Sequence, residues 1–337
     1  NSTGINEDIV AGTSAVGPAR YPQAKWQSIG VYLHDQYKIS EKTLLQAGLR
    51  YNQFILKADF DTAFYPFPFT EADIDNGSLT GSAGIVYRPT DKWVISSNVA
   101  TAFRSPNVDD VGKVFDSEPG SVVIPNPNLE AEYAYNVDLN VAKLFGKNVK
   151  VDVSTYYTLL DNALVRRDFT LNGASEIVYD GELSQVQAIQ NAAKANVYGV
   201  QAGVEVKLTS GFRFSTDLNF QKGEEELDNG DKSPSRHAAP FFGVSRVGYA
   251  NSKLDLEVNL QFSDEVAYED LAEEEKGKKE IYATSWYTLN LTSMYKLNEN
   301  FTLTAGLENI TDQRYRPYSS GIVAPGKNFV LALRAKF

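Results

Sequence analysis

The chain has 337 residues, no Cys, one Met and a formal net charge of -11. That excludes a disulfide scaffold, a Cys metal site and thiol catalysis, and it offers nucleic acid no basic stripe to bind. Aromatic residues make up 12% of the chain, yet the mean hydropathy is negative, and no run approaches the roughly 18 apolar residues of a membrane helix. These facts conflict for a helical membrane protein and agree for a barrel, where every second strand residue is polar.

Asn1-Ser2-Thr3-Gly4 has neither the basic nor the apolar region of a signal peptide, so the chain reads as a mature form or a piece of a longer one. From there, about thirteen segments show period-two alternation: 26–38, 43–55, 77–88, 92–104, 131–145, 148–160, 195–208, 212–222, 237–250, 253–264, 284–297, 300–313 and 327–337. In the clearest, Leu254, Leu256, Val258, Leu260 and Phe262 share one face, against Asp255, Glu257, Asn259 and Gln261 on the other. Carboxylates and amides in such a row cannot face a dry core, but they can line a wet lumen. Residues 182–194, around Gln185-Val186-Gln187-Ala188-Ile189-Gln190, read as the only plausible short helix. The acidic run 264–275 reads as a solvated loop, or else as a contact for divalent ions or lipopolysaccharide. The last ten residues put Phe329, Leu331, Leu333, Ala335 and Phe337 on one face and Val330, Ala332, Arg334 and Lys336 on the other. The terminal Phe337 then sits in a periplasmic aromatic girdle, and Phe329 and Phe337 read as membrane anchor and assembly signal.

The connections alternate in length. Turns of a few residues fall at 39–42, 89–91, 146–148, 209–211, 251–252 and 298–300, and long connections at 56–76, 105–130, 161–194, 223–236, 265–283 and 314–326. Short periplasmic turns and long outer loops are a property of transmembrane barrels. With the short turns inside, residues 1–25 belong to an outer loop. Thirteen strands starting outside do not close as a bacterial single-chain barrel, which has an even strand number. Residues 1–337 are therefore expected to be the C-terminal part of a larger barrel.

Four passages carry a resemblance: Phe103-Arg104-Ser105-Pro106, then Asn126-Pro127-Asn128-Leu129 with Glu130 and Glu132, then Asn309-Ile310-Thr311-Asp312-Gln313-Arg314-Tyr315, and Pro325-Gly326-Lys327-Asn328-Phe329 with Phe337. Together they resemble the FRAP and NPNL boxes and the C-terminal signature of TonB-dependent outer-membrane receptors, plugged barrels of about 22 strands. The resemblance implies an all-β transmembrane antiparallel barrel corresponding to strands ten to twenty-two, with the plug and the first strands outside the chain. It implies active transport of a small-molecule metal chelate, siderophore-iron first and heme or cobalamin next. Its partners would be outer-membrane lipid and, through the plug, the TonB–ExbB–ExbD energy-coupling complex. No cofactor, resident metal or catalytic residue is implied.

Each candidate residue has a plain alternative. Arg104, on the inward face, pairs with an acid of the wall or plug, or with ligand. Asn126 and Asn128 contact ligand or only fix the exit of their loop. Tyr65, Phe67 and Phe69 stack on a flat ligand or pack among themselves. Tyr315, Arg316 and Tyr318 offer a cation beside two rings, suited to an anionic chelate, or else belong to the outer girdle. The loop 107–125 contains neither His nor Tyr, which weighs against heme. His34 and His237 read as structural. A passive porin, or a receptor for oligosaccharide or peptide, is the alternative function.

Overall fold

The computed structural model describes residues 3–118, 120–179, 181–227, 230–235, 238–271, 276, 284–320 and 322–337. His237 and residues 272–275 of the acidic run lie outside them. A hairpin of β1 (Gly4–Asp8) and β2 (Thr13–Gly17) stands apart, and the long strands begin with β3 (Gln23–Ser40), β4 (Thr43–Asp59), β5 (Glu71–Tyr87) and β6 (Trp93–Arg104). One connection holds α1 (Val108–Gly112), β7 (Phe115–Glu118) and β8 (Ser121–Ile124). Then come β9 (Glu132–Phe145), β10 (Val149–Asp168), β11 (Glu176–Tyr179), β12 (Glu182–Lys207), β13 (Phe212–Glu226) and β14 (Lys232–Pro234). The chain finishes with β15 (Phe242–Ala250), β16 (Leu254–Ser263), β17 (Trp286–Lys296), β18 (Phe301–Glu308) and β19 (Asn328–Ala335).

Antiparallel registers join β3-β4-β5-β6-β9-β10-β12-β13-β15-β16-β17-β18-β19. These are the thirteen strands expected from the alternation, and the sheet wraps as a barrel. No residue register crosses the seam between β3 and β19 among the described residues. Both strands are exposed along nearly their whole length.

The pairings assign each face. Leu256, Val258 and Leu260 lie opposite Ser293, Leu291 and Leu289. The same face continues through Leu307 to Phe329, so an apolar band runs across the outside of β16 to β19. On the other face Arg213 bonds Asp255 and Glu257 at 2.6 and 3.1 Å, and Arg246 bonds Asp217 at 2.6 Å. Charges held in this way belong to a wet interior. Near the short turns Lys143 Nζ sits 4.4 Å from the Trp93 ring centroid and 4.3 Å from that of Phe145. This is a snorkelling cation in an aromatic belt. Phe337 is fully exposed and meets Phe301 edge-on at 6.1 Å. Among the described residues, no helix is long and apolar enough to cross a membrane.

One expectation is corrected. Residues 182–194 are not helical; they are the outer part of the 26-residue β12. Ser184, Val186 and Ala188 are buried in alternation with half-buried Gln185 and Gln187, which is a strand period that the flanking Ala and Gln disguised as helix propensity. This outer part pairs with β10, β11 and, in parallel, β8. The β10–β12 register slips twice where it leaves the lower wall. Between Leu160 and Ala163 the extra residue is on β10, with Asn162 at φ 60°; between Ala163 and Leu164 it is on β12.

Outer loops fold inward rather than away. Leu56, Ala58, Ala72 and Ile74 of β4 and β5 form a core with Phe60, Val111 and Leu129. A second core joins Val114, Val122 and Ile124 to Leu171, Val186 and Ala188. The segment 105–131 is thus wedged between the wall and the tops of β10 and β12.

Candidate functional site

The outer mouth over β4 to β12 is built around α1. Asn107 caps it, its Oδ1 accepting from the N–H groups of Asp109 and Asp110 at 2.7 and 3.2 Å, while Asp110 Oδ2 accepts from the Asn107 N–H at 2.9 Å. This reciprocal box makes a helix of five residues hold its shape. Arg104, at the end of β6, reaches Asp110 at 2.7 Å and also donates to Glu132 of β9. The second Glu132 oxygen accepts the Leu164 N–H at 2.9 Å. Arg104 therefore ties wall, helix and outer β10 together, and the acid it pairs with is supplied by this chain.

Asn126 is 7% exposed. Its amide donates to the Ile189 carbonyl at 2.8 Å, its N–H to Val111 at 2.9 Å, and its Oδ1 accepts from the Asn128 N–H at 3.1 Å. Both asparagines fix the loop exit, and Asn128 leaves its own side chain exposed. Tyr21, in the segment before β3, donates to Asp109 Oδ1 at 2.8 Å. That hydrogen bond, with some burial and the carboxylate's charge, holds its phenol above the usual tyrosine pKa.

The three loop aromatics part company. Phe67 stacks parallel on Phe69 at 5.4 Å and packs against both cores, while Phe69 meets Phe60 edge-on at 5.1 Å. Tyr65 stacks on Tyr179 at 6.1 Å and, with Phe64 and Tyr21, lines a cleft of about 230 Å³. Phe64, next to the predicted trio, is the most open of these rings at 42%. The alternation of the trio drew attention away from it.

On the opposite side, Tyr315 lies 4.4 Å from Trp286 of β17. Pro317 and Tyr318 line a separate cavity in the wall. Arg316 is half-buried between them. The C-terminal signature below this loop is structural. Asn309, at φ 46°, donates to the Gln313 and Pro325 carbonyls at 2.8 and 3.1 Å and accepts the Gln313 N–H at 3.0 Å. Asp312 Oδ1 accepts the Lys327 N–H at 2.8 Å, and a Cβ on Gly326 would meet that oxygen at 2.7 Å. The spacing of Asn, Asp and Gly is thus the spacing of a staple across the last outer loop. His34 faces the lumen opposite Gly48. No group of three His, Asp or Glu side chains is placed to hold a metal ion among the described residues.

With that geometry in hand, comparison with known proteins is specific. Residues 2–310 match the family model of the TonB dependent receptor-like β-barrel. The chain is 23% identical to the probable TonB-dependent siderophore receptor PiuA of Acinetobacter baumannii, over 96% of this chain and 44% of that one. It is 22% identical to the ferric enterobactin receptor PirA of Pseudomonas aeruginosa, over 99% and 44%. Among solved structures, the copper transporter OprC superimposes with a TM-score of 0.78 at 15% identity, covering 99% of this chain and 52% of that one. The chain therefore spans about half the length of the proteins it matches.

Proposed function

From the premise that this chain belongs to the TonB-dependent receptors as part of their outer-membrane β-barrel, we propose that it serves active uptake of a metal chelate, siderophore-iron first. The observation that carries this reading is the packing of the outer loops over β4 to β12. Two apolar cores built from the outer loops sit inside the rim of a polar-lined barrel. A passive porin needs an open aqueous path, whereas a receptor needs a shaped outer surface and a reason to open. The siderophore receptors PiuA and PirA among the relatives support that cargo, and the lack of His and Tyr in residues 107–125 weighs against heme.

In this reading the seam between β3 and β19 is where the other strands of a plugged barrel pair. The plug meets the TonB–ExbB–ExbD complex, and plug movement releases the bound chelate inward. Tyr65, Tyr315, Arg316 and Tyr318 contact the chelate. Phe67, Phe69, Arg104, Asn126 and Asn128 hold the loops that present them. Phe337 anchors the last strand at the periplasmic interface, and Phe329 anchors its outer end. No substrate bond changes.

The test is uptake of radiolabelled iron chelates by cells whose only such receptor is this protein. Uptake is expected to be saturable and to stop when the proton gradient is dissipated. Linear, energy-independent entry would instead assign the protein to the porins.

A further inference from the structure

A cavity of about 580 Å³ opens in the lumen wall between β10 and β17, beneath Pro317 and Tyr318. Its size is that of a small-molecule site. One cross-strand row forms its back: Ser154 pairs with Gln201, Gln201 with Asn219, Asn219 with Phe242, Phe242 with Ser263, and Ser263 with Trp286. Six strands thus place six side chains on one face in one cross-strand row, and every one lines the cavity.

Within that row Asn219 stands out. It is 9% exposed, and its Oδ1 is buried with no hydrogen-bond partner among the described residues. Buried amides are normally satisfied, and an unpaired acceptor costs free energy. The final torsion of an Asn side chain is broad and roughly two-fold, so rotation about it exchanges the oxygen with the amide nitrogen and lets a ligand in the cavity select the orientation. The row carries no formal charge, and the neighbouring Arg246 is already paired with Asp217 at 2.6 Å. Phe242 and Trp286 add aromatic faces at one end.

We propose that this row is a binding subsite for an uncharged ring bearing hydroxyl or amide donors. The ring stacks on Trp286 and Phe242, and a donor satisfies Asn219 Oδ1. The assignment rests on the uptake reading above, in that it gives the cargo's organic scaffold a place in the wall. Such a ring can come from an aromatic chelator or from a saccharide.

The experiment uses the full-length receptor in detergent, with every Trp except Trp286 replaced by Phe, Trp26 and Trp93 among them. Two metal-free probes are titrated separately, a dihydroxybenzamide and methyl glucoside. Saturable quenching of Trp286 by either probe is expected, and the probe that acts identifies the source. Asn219→Leu should weaken binding about tenfold, the worth of one buried hydrogen bond. Ser154→Phe, filling the cavity from the far wall, should abolish it. Heat-modified gel mobility checks that each variant is a folded barrel. No quenching by either probe, or unchanged affinity in Asn219→Leu, overturns the subsite. Energised iron uptake is measured in parallel, so that uptake without probe binding sinks the subsite alone. Probe binding without uptake sinks only the receptor reading.

Discussion

The two sides of this barrel wall are built to different heights. β3, β4 and β5 run 17–18 residues, β10 runs 20 and β12 runs 26, whereas β15 to β19 run 8–11. Crossing a bilayer takes about 9–11 tilted residues. The short side is therefore mostly membrane wall, and the tall side continues outward as a scaffold. On the tall side the extra length is covered by loops with a dry core; the short side carries no such cover, and its wall borders a cavity that reaches back to the lower parts of β10 and β12. Strand length beyond the bilayer is what gives the loops a surface to pack on.

The largest effect should come from charging the dry core. Val186 is fully buried on outer β12, and Val186→Asp should cost about 3–5 kcal/mol because the carboxylate has no partner. Hydrogen exchange should show loops 105–131 and 161–181 losing protection while the lower strands keep theirs. Collapse of the whole barrel would mean that the two sides are not independent. Next, Val258 sits mid-strand on the lipid face of short β16, and Val258→Arg should cost about 2–4 kcal/mol in refolding into lipid vesicles. Asn259→Arg, one residue on and facing the lumen, should cost far less. Equal penalties would break the assignment of faces.

Arg104→Leu comes third. It strands Asp110 and Glu132, which are 14% and 18% exposed, but the arginine itself is 44% exposed. Solvent therefore shares the load, and about 2 kcal/mol is expected. Faster proteolysis of the loop after β6, with an unchanged membrane-embedded core, is the readout. Smallest is the Tyr21 contact. Its folded pKa is raised, so its contribution is fully present below the ordinary tyrosine value and is lost as pH climbs through the folded one. In Asp109→Asn, tyrosinate absorbance should show one phenol moving from late titration back to the normal range.

Much of this architecture was legible in advance because a barrel writes two solvents into alternate residues. Leu254 to Phe262 needed no tertiary knowledge to read, and neither did the turn spacing. The outer β12 escaped because its two faces meet protein rather than lipid and water, so Val186 and Gln187 no longer report a membrane. At the mouth, the boxes around Arg104 and Asn126 were visible, but their partners Asp110 and Ile189 lie in segments with no pattern of their own. Asn219 was invisible for a different reason. Asp217, Asn219 and Gln221 look alike along β13, and only the cross-strand row distinguishes the middle one.

The twin slips between β10 and β12 have a consequence for how such proteins diversify. One surplus residue on each strand cancels the other, so the net offset beyond the pair is the same as before it. Between them β12 exchanges which side chains point inward, odd-numbered below and even-numbered above. The extracellular extension can thus be rewritten under its own sequence rules while the greasy belt beneath stays in phase. Deleting Asn162 alone would remove half of that compensation and put the two segments out of step.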